Sequence, residues 1–250
     1  MSEAASTLSP DTDELDAAAE LASACRRRGM FSPVLLAASV GRLGRYRHPI
    51  PRGGPLGGQA MLVVCAERGG LYANLTRMVL FEDSDPETHR RQEACDEILR
   101  RMRQEATRPG TTLADAFELC RTFYAEAGFP DGWQDHHQGG TTGYASREIV
   151  ASPETLQEIR PGHAFAWNPS LPNAKTEETF VLLPQGPEIL TPPDTEPARS
   201  LPAKPRQRSR DLWGTETRRR PLIDLQRLSG LLGHRIGTAL VGFGLQVLRF

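Results

Sequence analysis

Eight prolines fall in the 38 residues from Pro184 to Pro221. Each removes a backbone donor and fixes φ, so neither a helix nor a central strand is expected to run through that stretch. The spacing predicts one ordered domain over residues 1–191, followed by a Pro- and Arg-rich extension over 192–250. Residues 201–220 carry seven basic and two acidic side chains. Residues 221–250 are apolar but hold five glycines, which weakens any helix there. Ahead of the extension the composition is ordinary. Thirty basic and thirty-one acidic residues nearly cancel, which removes a global electrostatic case for nucleic acid or membrane binding. Only Lys175 and Lys204 among the basic residues are lysines. Cys25, Cys65, Cys95 and Cys120 have neither metal-ligand spacing nor the density of a disulfide scaffold. The first ten residues lack a basic, apolar leader, and no apolar run reaches the roughly 18 residues of a bilayer span. A cytoplasmic protein without nucleic acid or membrane partners is the expectation.

Local signals place a helix over 11–28, with Ser9 as cap and Gly29 as stop. A buried strand is expected over 32–40. Residues 42–58, with five Gly and three Pro, read as a loop. Strands over 60–67 and 71–81 are joined at Gly69-Gly70. Helices follow over 86–107, capped by Asp85, and over 113–127, capped by Thr112. Short strands are expected over 164–167 and 179–183. A shift of 99 residues aligns Thr12, Asp16, Ala17 and Gly29 with Thr111, Asp115, Ala116 and Gly128, a faint sign of a duplicated αβ unit.

The richest cluster of chemistry is Asp135 to Tyr144, which holds His136, His137 and three glycines. Glycines let a ligand approach the backbone, and imidazoles donate, accept or ligate. Strand alternation sends adjacent histidines to opposite faces, so at most one is expected to face a given pocket. A surface turn with solvated histidines is the competing reading. His48 lies between two strands and beside Pro49 and Pro51. Alternation also separates Glu177 from Glu178, leaving one on the face of Thr179. Cys65 sits in an apolar run and reads as a buried thiol. Phosphate loops, Gly-x-Ser-x-Gly and His-Glu-x-x-His motifs do not occur.

Six segments in order carry a family resemblance. They are His48-Pro49-Ile50-Pro51, Leu71 to Arg77, Arg108 to Leu113, His136 to Gly143, Pro161 to Pro169 and Thr176 to Val181. Residues 30–191 resemble the pita-bread metallopeptidases (methionine aminopeptidase, aminopeptidase P, prolidase and creatinase, the M24 family). The resemblance implies an α+β pita-bread fold of two αβ halves, with a curved, mostly antiparallel sheet covered by helices. Family domains usually carry one more long helix ahead of residues 11–28, so part of a sheet face is expected to lie uncovered.

The resemblance also implies a two-metal site of two Asp, one His and two Glu. Here Asn74 stands at one Asp, Gly140 at the His and Asn168 at one Glu. The other Asp falls in the carboxylate-free stretch Val63 to Cys65. Glu177 alone remains, so no metal site and no cofactor are expected. Creatinase is the family precedent for metal-free chemistry. On that reading His48 is the acid/base, Glu177 orients a cationic group and His136 polarises a carbonyl. Arg77, Asn74, His137, Gly140, Tyr144 and Asn168 are the substrate-binding candidates. The expected partner is a small peptide-like or amidine-like substrate cleaved at a C–N bond, with a possible homodimer. The alternatives are a non-catalytic pseudopeptidase that binds a peptide or protein, with the Arg-rich 204–220 stretch as a contact, and a metal-dependent Xaa-Pro peptidase.

Overall fold

The computed structural model describes residues 1–192. The expectations for 204–220 and 221–250 lie outside the described residues.

The chain opens with a short helix, α1 (Ser2–Ala5), and then α2 (Glu14–Arg27). The latter starts later than the sequence suggests, because Asp13 and not Ser9 caps it. One Asp13 carboxylate oxygen accepts from Leu15 N at 2.8 Å and the other from Gly54 N at 2.7 Å. The 42–58 loop is thereby tied to the helix start, while Ser9 closes a turn with Thr12. Strands β1 (Phe31–Ser39), β2 (Gln59–Arg68) and β3 (Leu71–Leu80) form an antiparallel meander. A one-turn helix, α3 (Val40–Leu43), follows β1. The β2–β3 turn falls at Gly69 and Gly70, both at positive φ (63° and 86°), where a side chain would be strained.

Strand β2 is apolar from Ala60 to Ala66 because both its faces are covered there. Leu62, Val64 and Ala66 pack against Ala17, Leu21 and Ala24 of α2. Met61 and Val63 share the opposite face with Leu36 and Ala38. Ala4 joins the α2 core with Met1, Ala5 and Leu8 beside it, so α1 covers part of the face expected to be bare. Phe31, Val34, Leu71 and Leu80 stay exposed.

The second half begins with α4 (Pro86–Arg101), where Asp85 caps and Pro86 sits in the first turn. It ends in a π-helical turn, Met102–Ala106, and α5 (Leu113–Glu126) then starts from a Thr112/Asp115 capping box. Both helices pack on a sheet made of β4 (Gly139–Thr142), β5 (Ile149–Val150), β6 (Ala164–Trp167), β9 (Glu178–Leu183) and β10 (Gly186–Ile189). A small hairpin, β7 (Ser170–Leu171) with β8 (Ala174–Lys175), lies between β6 and β9. Phe165, Trp167 and Phe180 fill the core beneath α5, and Trp167 Nε1 donates to Thr107 Oγ1 at 2.9 Å. Strand β10 lies inside the Pro-rich stretch and was not expected. Pro187 is tolerated there because β10 is an edge. Among the described residues no helix is long and apolar enough to cross a membrane.

The two sheets meet along β3 and β9. Thr76 bridges to Glu177, and Thr179 Oγ1 both accepts from Asn74 N (2.7 Å) and donates to Asn74 O (2.9 Å). One hydroxyl thus replaces two ladder bonds at a buried seam. Thr179→Val keeps the shape and leaves the Asn74 amide N–H unpaired. The expected loss is about 1–3 kcal/mol of unfolding free energy, read as a lower urea midpoint.

Candidate functional site

Glu177 is the floor of the site. It follows the β8 hairpin and is buried, on the face shared by Thr76 and Thr179. Thr76 Oγ1 donates to Glu177 Oε2 at 2.8 Å, and Arg147 donates to Oε1. Burial pushes the carboxyl pKa up. The Arg147 and Lys175 charges and the bonds from Arg147 and Thr76 outweigh it, so the net direction is down. Glu178 turns the other way and pairs with Arg103, as alternation requires.

Lys175 is also buried. Its ammonium meets two acceptors among the described residues, His48 Nε2 at 3.2 Å and Arg47 O at 3.5 Å. An ammonium has no lone pair, so His48 Nε2 must accept and the ring is a neutral Nδ1–H tautomer. Burial, then the Lys175 charge, pulls the His48 pKa down to about 4. Burial likewise lowers Lys175 to about 8. The loop that carries His48 is anchored from α2. Glu14 accepts from Ser39 N (2.8 Å), Arg52 N (3.1 Å) and Arg42, and Arg42 donates to Ile50 O at 2.7 Å. Arg47 of the same loop pairs with Asp135 across the site.

Three imidazoles converge above this floor. The His48 ring lies 5.4 Å from His136 and 6.2 Å from His137, centroid to centroid. Adjacent histidines were expected to diverge. They do not, because β4 begins only at Gly139 and His136 leaves a 3₁₀ turn, Gly132–Asp135, so strand alternation does not apply. His48 and His137 are exposed, and His136 lies deeper. His136 Nδ1 contacts His137 O, which makes Nδ1 the donor, so Nε2 accepts from Ser170 Oγ at 2.6 Å. Both nitrogens are engaged. His136 therefore holds the loop in place and has no free nitrogen to polarise a carbonyl. Burial, followed by the Lys175 charge, takes its pKa down to about 3.

The remaining candidates separate. Asn74 and Asn168 are buried, and each has a side-chain oxygen without a partner among the described residues. Both oxygens of Glu177 are taken, so it is not free to orient a cationic substrate group. Arg77 donates to the main-chain oxygens of Thr76 and Glu177 (2.9 and 2.8 Å) and of Thr191 (2.7 Å), and so clamps backbone. Tyr144 is 81% exposed and borders a different cavity with Leu71 and Gln157. Gly140 leaves no vacant space: a Cβ there would lie 1.9 Å from Ile149 O, at φ +152°. Cys65 is a buried thiol, raised by burial to about 12. Lys175 and Arg147 were not anticipated. Rarity was a signal for Lys175, the single lysine of the described residues. Arg147 had none, since it becomes distinctive only beside Glu177.

The donor set does not fit a pair of divalent cations. Of the five positions assigned by the resemblance, one carries a carboxylate, and Arg147 and Thr76 already hold it. Gly140 could not carry a ligating side chain without displacing backbone. No group of three or more His, Cys, Asp or Glu side chains among the described residues has metal-holding geometry.

Two outcomes follow. His48 and His136 titrate below their ordinary 6.5 in the fold, so between about pH 6.5 and 4 the unfolded chain binds more protons. Unfolding free energy should fall as pH is lowered through that window, and His136→Gln should flatten the slope in urea titrations. Gly140→His should not create a metal site. It should cost more than about 3 kcal/mol through a clash and forced positive φ, seen as insoluble protein or a collapsed urea midpoint.

The architecture matches solved structures. The dipeptidase PepE from Mycobacterium ulcerans superposes with a TM-score of 0.66 at 22% identity, over 75% of this chain and 52% of that one. The prolidase from Pyrococcus furiosus gives 0.68 at 16% identity, over 77% and 60%. Aminopeptidase P from E. coli, solved with the inhibitor Pro-Leu, gives 0.64 at 14%, over 75% and 51%. These likenesses establish the pita-bread fold, and the chain spans between half and two thirds of each structure's length. Among curated proteins none matches. The family model "Metallopeptidase family M24" matches residues 1–186, three quarters of the sequence. The chain belongs to metallopeptidase family M24.

Proposed function

We propose that this chain is a metal-independent member of its family that acts on a C–N bond of a small peptide-like substrate. The observation that carries the reading is the pair of fixed cations beside Glu177. Arg147 is bonded to the carboxylate, and the Lys175 charge helps lower its pKa. Two full positive charges in a poorly solvated floor repel a divalent ion and stand ready for the negative charge that develops on a carbonyl oxygen.

The proton inventory fits acid–base chemistry. Lys175 is the proton reserve, and His48 relays between it and the exposed mouth. When His48 Nδ1–H protonates the leaving nitrogen, Nε2 takes a proton from Lys175; solvent then reprotonates Nδ1 at the mouth as Nε2 returns its proton to the lysine. His137, at the mouth and held toward the neutral form by partial desolvation and then by the Arg147 and Lys175 charges, receives the proton of the attacking water. His136 is a positioning residue for His137.

The test is amine release from a panel of dipeptides and N-acyl amino acids, run with and without excess chelator. The expected result is turnover that ignores the chelator and falls by about 10²–10⁴-fold in His48→Ala. Turnover that needs added manganese or cobalt, or full activity in His48→Ala, overturns the reading. A second reading, a pseudopeptidase that binds without cleaving, draws on the occupied oxygens of Glu177. Tight binding with no release from any member of the panel would select it.

A further inference from the structure

Three buried polar atoms around Glu177 have no partner among the described residues: Asn74 Oδ1, Asn168 Oδ1 and Arg147 Nε. Buried polar groups are almost always satisfied, so a set of orphans on one face calls for partners that the protein itself does not supply. The strand pairings put them together. Thr76 and Glu177 are bridged, and Asn74 lies two residues from Thr76 on the same face of β3. Trp167 pairs with Glu178 in the last rung of the β6–β9 ladder, and Asn168 and Glu177 are the next residue of each chain segment beyond that rung. Arg147 is bonded to Glu177 itself.

The orientation of Asn74 is fixed by its neighbours. Thr142 Oγ1 gives its proton to Ala145 O (2.9 Å), so it must accept from Asn74 Nδ2 (2.9 Å). The free atom of Asn74 is therefore its oxygen. The face offers two acceptors, Asn74 Oδ1 and Asn168 Oδ1, and one donor, Arg147 Nε, which calls for a ligand with N–H groups next to a C=O. Charge then narrows the class. Arg147 and Lys175 outweigh Glu177 by one positive charge, and Arg47 is balanced by Asp135. A cationic N–H donor such as an amidinium or guanidinium is repelled, whereas a neutral one is not.

We propose that this face binds a neutral amide or ureido group, with its N–H on the asparagine oxygens and its carbonyl on Arg147. The inference rests on the metal-free reading and names the substrate class within it. It sets aside the amidine-like substrate that the sequence left open, and it disfavours a ligand whose only C–N bond lacks an N–H.

A matched pair of probes tests it. N-carbamoylglycine and guanidinoacetate have the same shape and the same carboxylate, and differ in a C=O against a C=NH₂⁺. Titration calorimetry on wild-type protein in chelator should show N-carbamoylglycine binding at least tenfold more tightly. Asn168→Ala should shrink that ratio to under threefold. Equal affinity, a preference for guanidinoacetate, or no binding of either overturns the inference. These outcomes are separate from the turnover assay. Metal-dependent turnover would defeat the metal-free reading while leaving the measured preference intact, and a reversed preference would do the opposite.

Discussion

A buried carboxylate sits where two sheets join, and its charge has to be met inside the protein. Glu177 follows the turn that leaves β8, and its neighbours along the seam are hydroxyls and amides in place of a regular ladder. Thr76 and Arg147 compensate its charge, and Thr179 repairs the strand contact next to it. Removing one partner of such a pair leaves an ion with nowhere to put its field, so the seam and the site stand or fall together. The His48 loop, the β7–β8 hairpin and the 143–148 turn all reach this one group, each with a side chain that senses its charge.

Much of the scaffold was legible because it depends on local rules. Asp85 and Thr112 act as caps since their oxygens meet amide donors two or three residues away, whatever the rest of the chain does. Gly69-Gly70 marks a hairpin because the turn needs positive φ. The six segments that carry the family resemblance also held their order. Where local rules competed, the reading slipped. Asp13 displaced Ser9 as cap because the 42–58 loop also needs an acceptor there. Pro187 did not exclude a strand because β10 is an edge.

The site was less legible for a physical reason. His48, His136 and Glu177 could be nominated from motif positions, but the state of each depends on partners far away in sequence. Lys175 fixes the tautomer of His48 from 127 residues away. Arg147 occupies an oxygen of Glu177 that the sequence left open for substrate. The divergence expected of His136 and His137 assumed a strand that starts two residues later. Asn74 and Asn168 were visible as substitutions, yet only the surrounding bonds reveal which of their atoms lacks a partner.

The rarity of lysine has a practical consequence. Lys175 is the single lysine among residues 1–192, and the residue is 3% exposed, with its amine against His48. Within that span it is the one side-chain amine that an acylating reagent can find. A buried amine reacts only when its cover lifts, so the rate of acylation at Lys175 counts the openings of the imidazole mouth. The fold has in effect left a single clock in the floor of its site, readable by peptide mass without any engineered label.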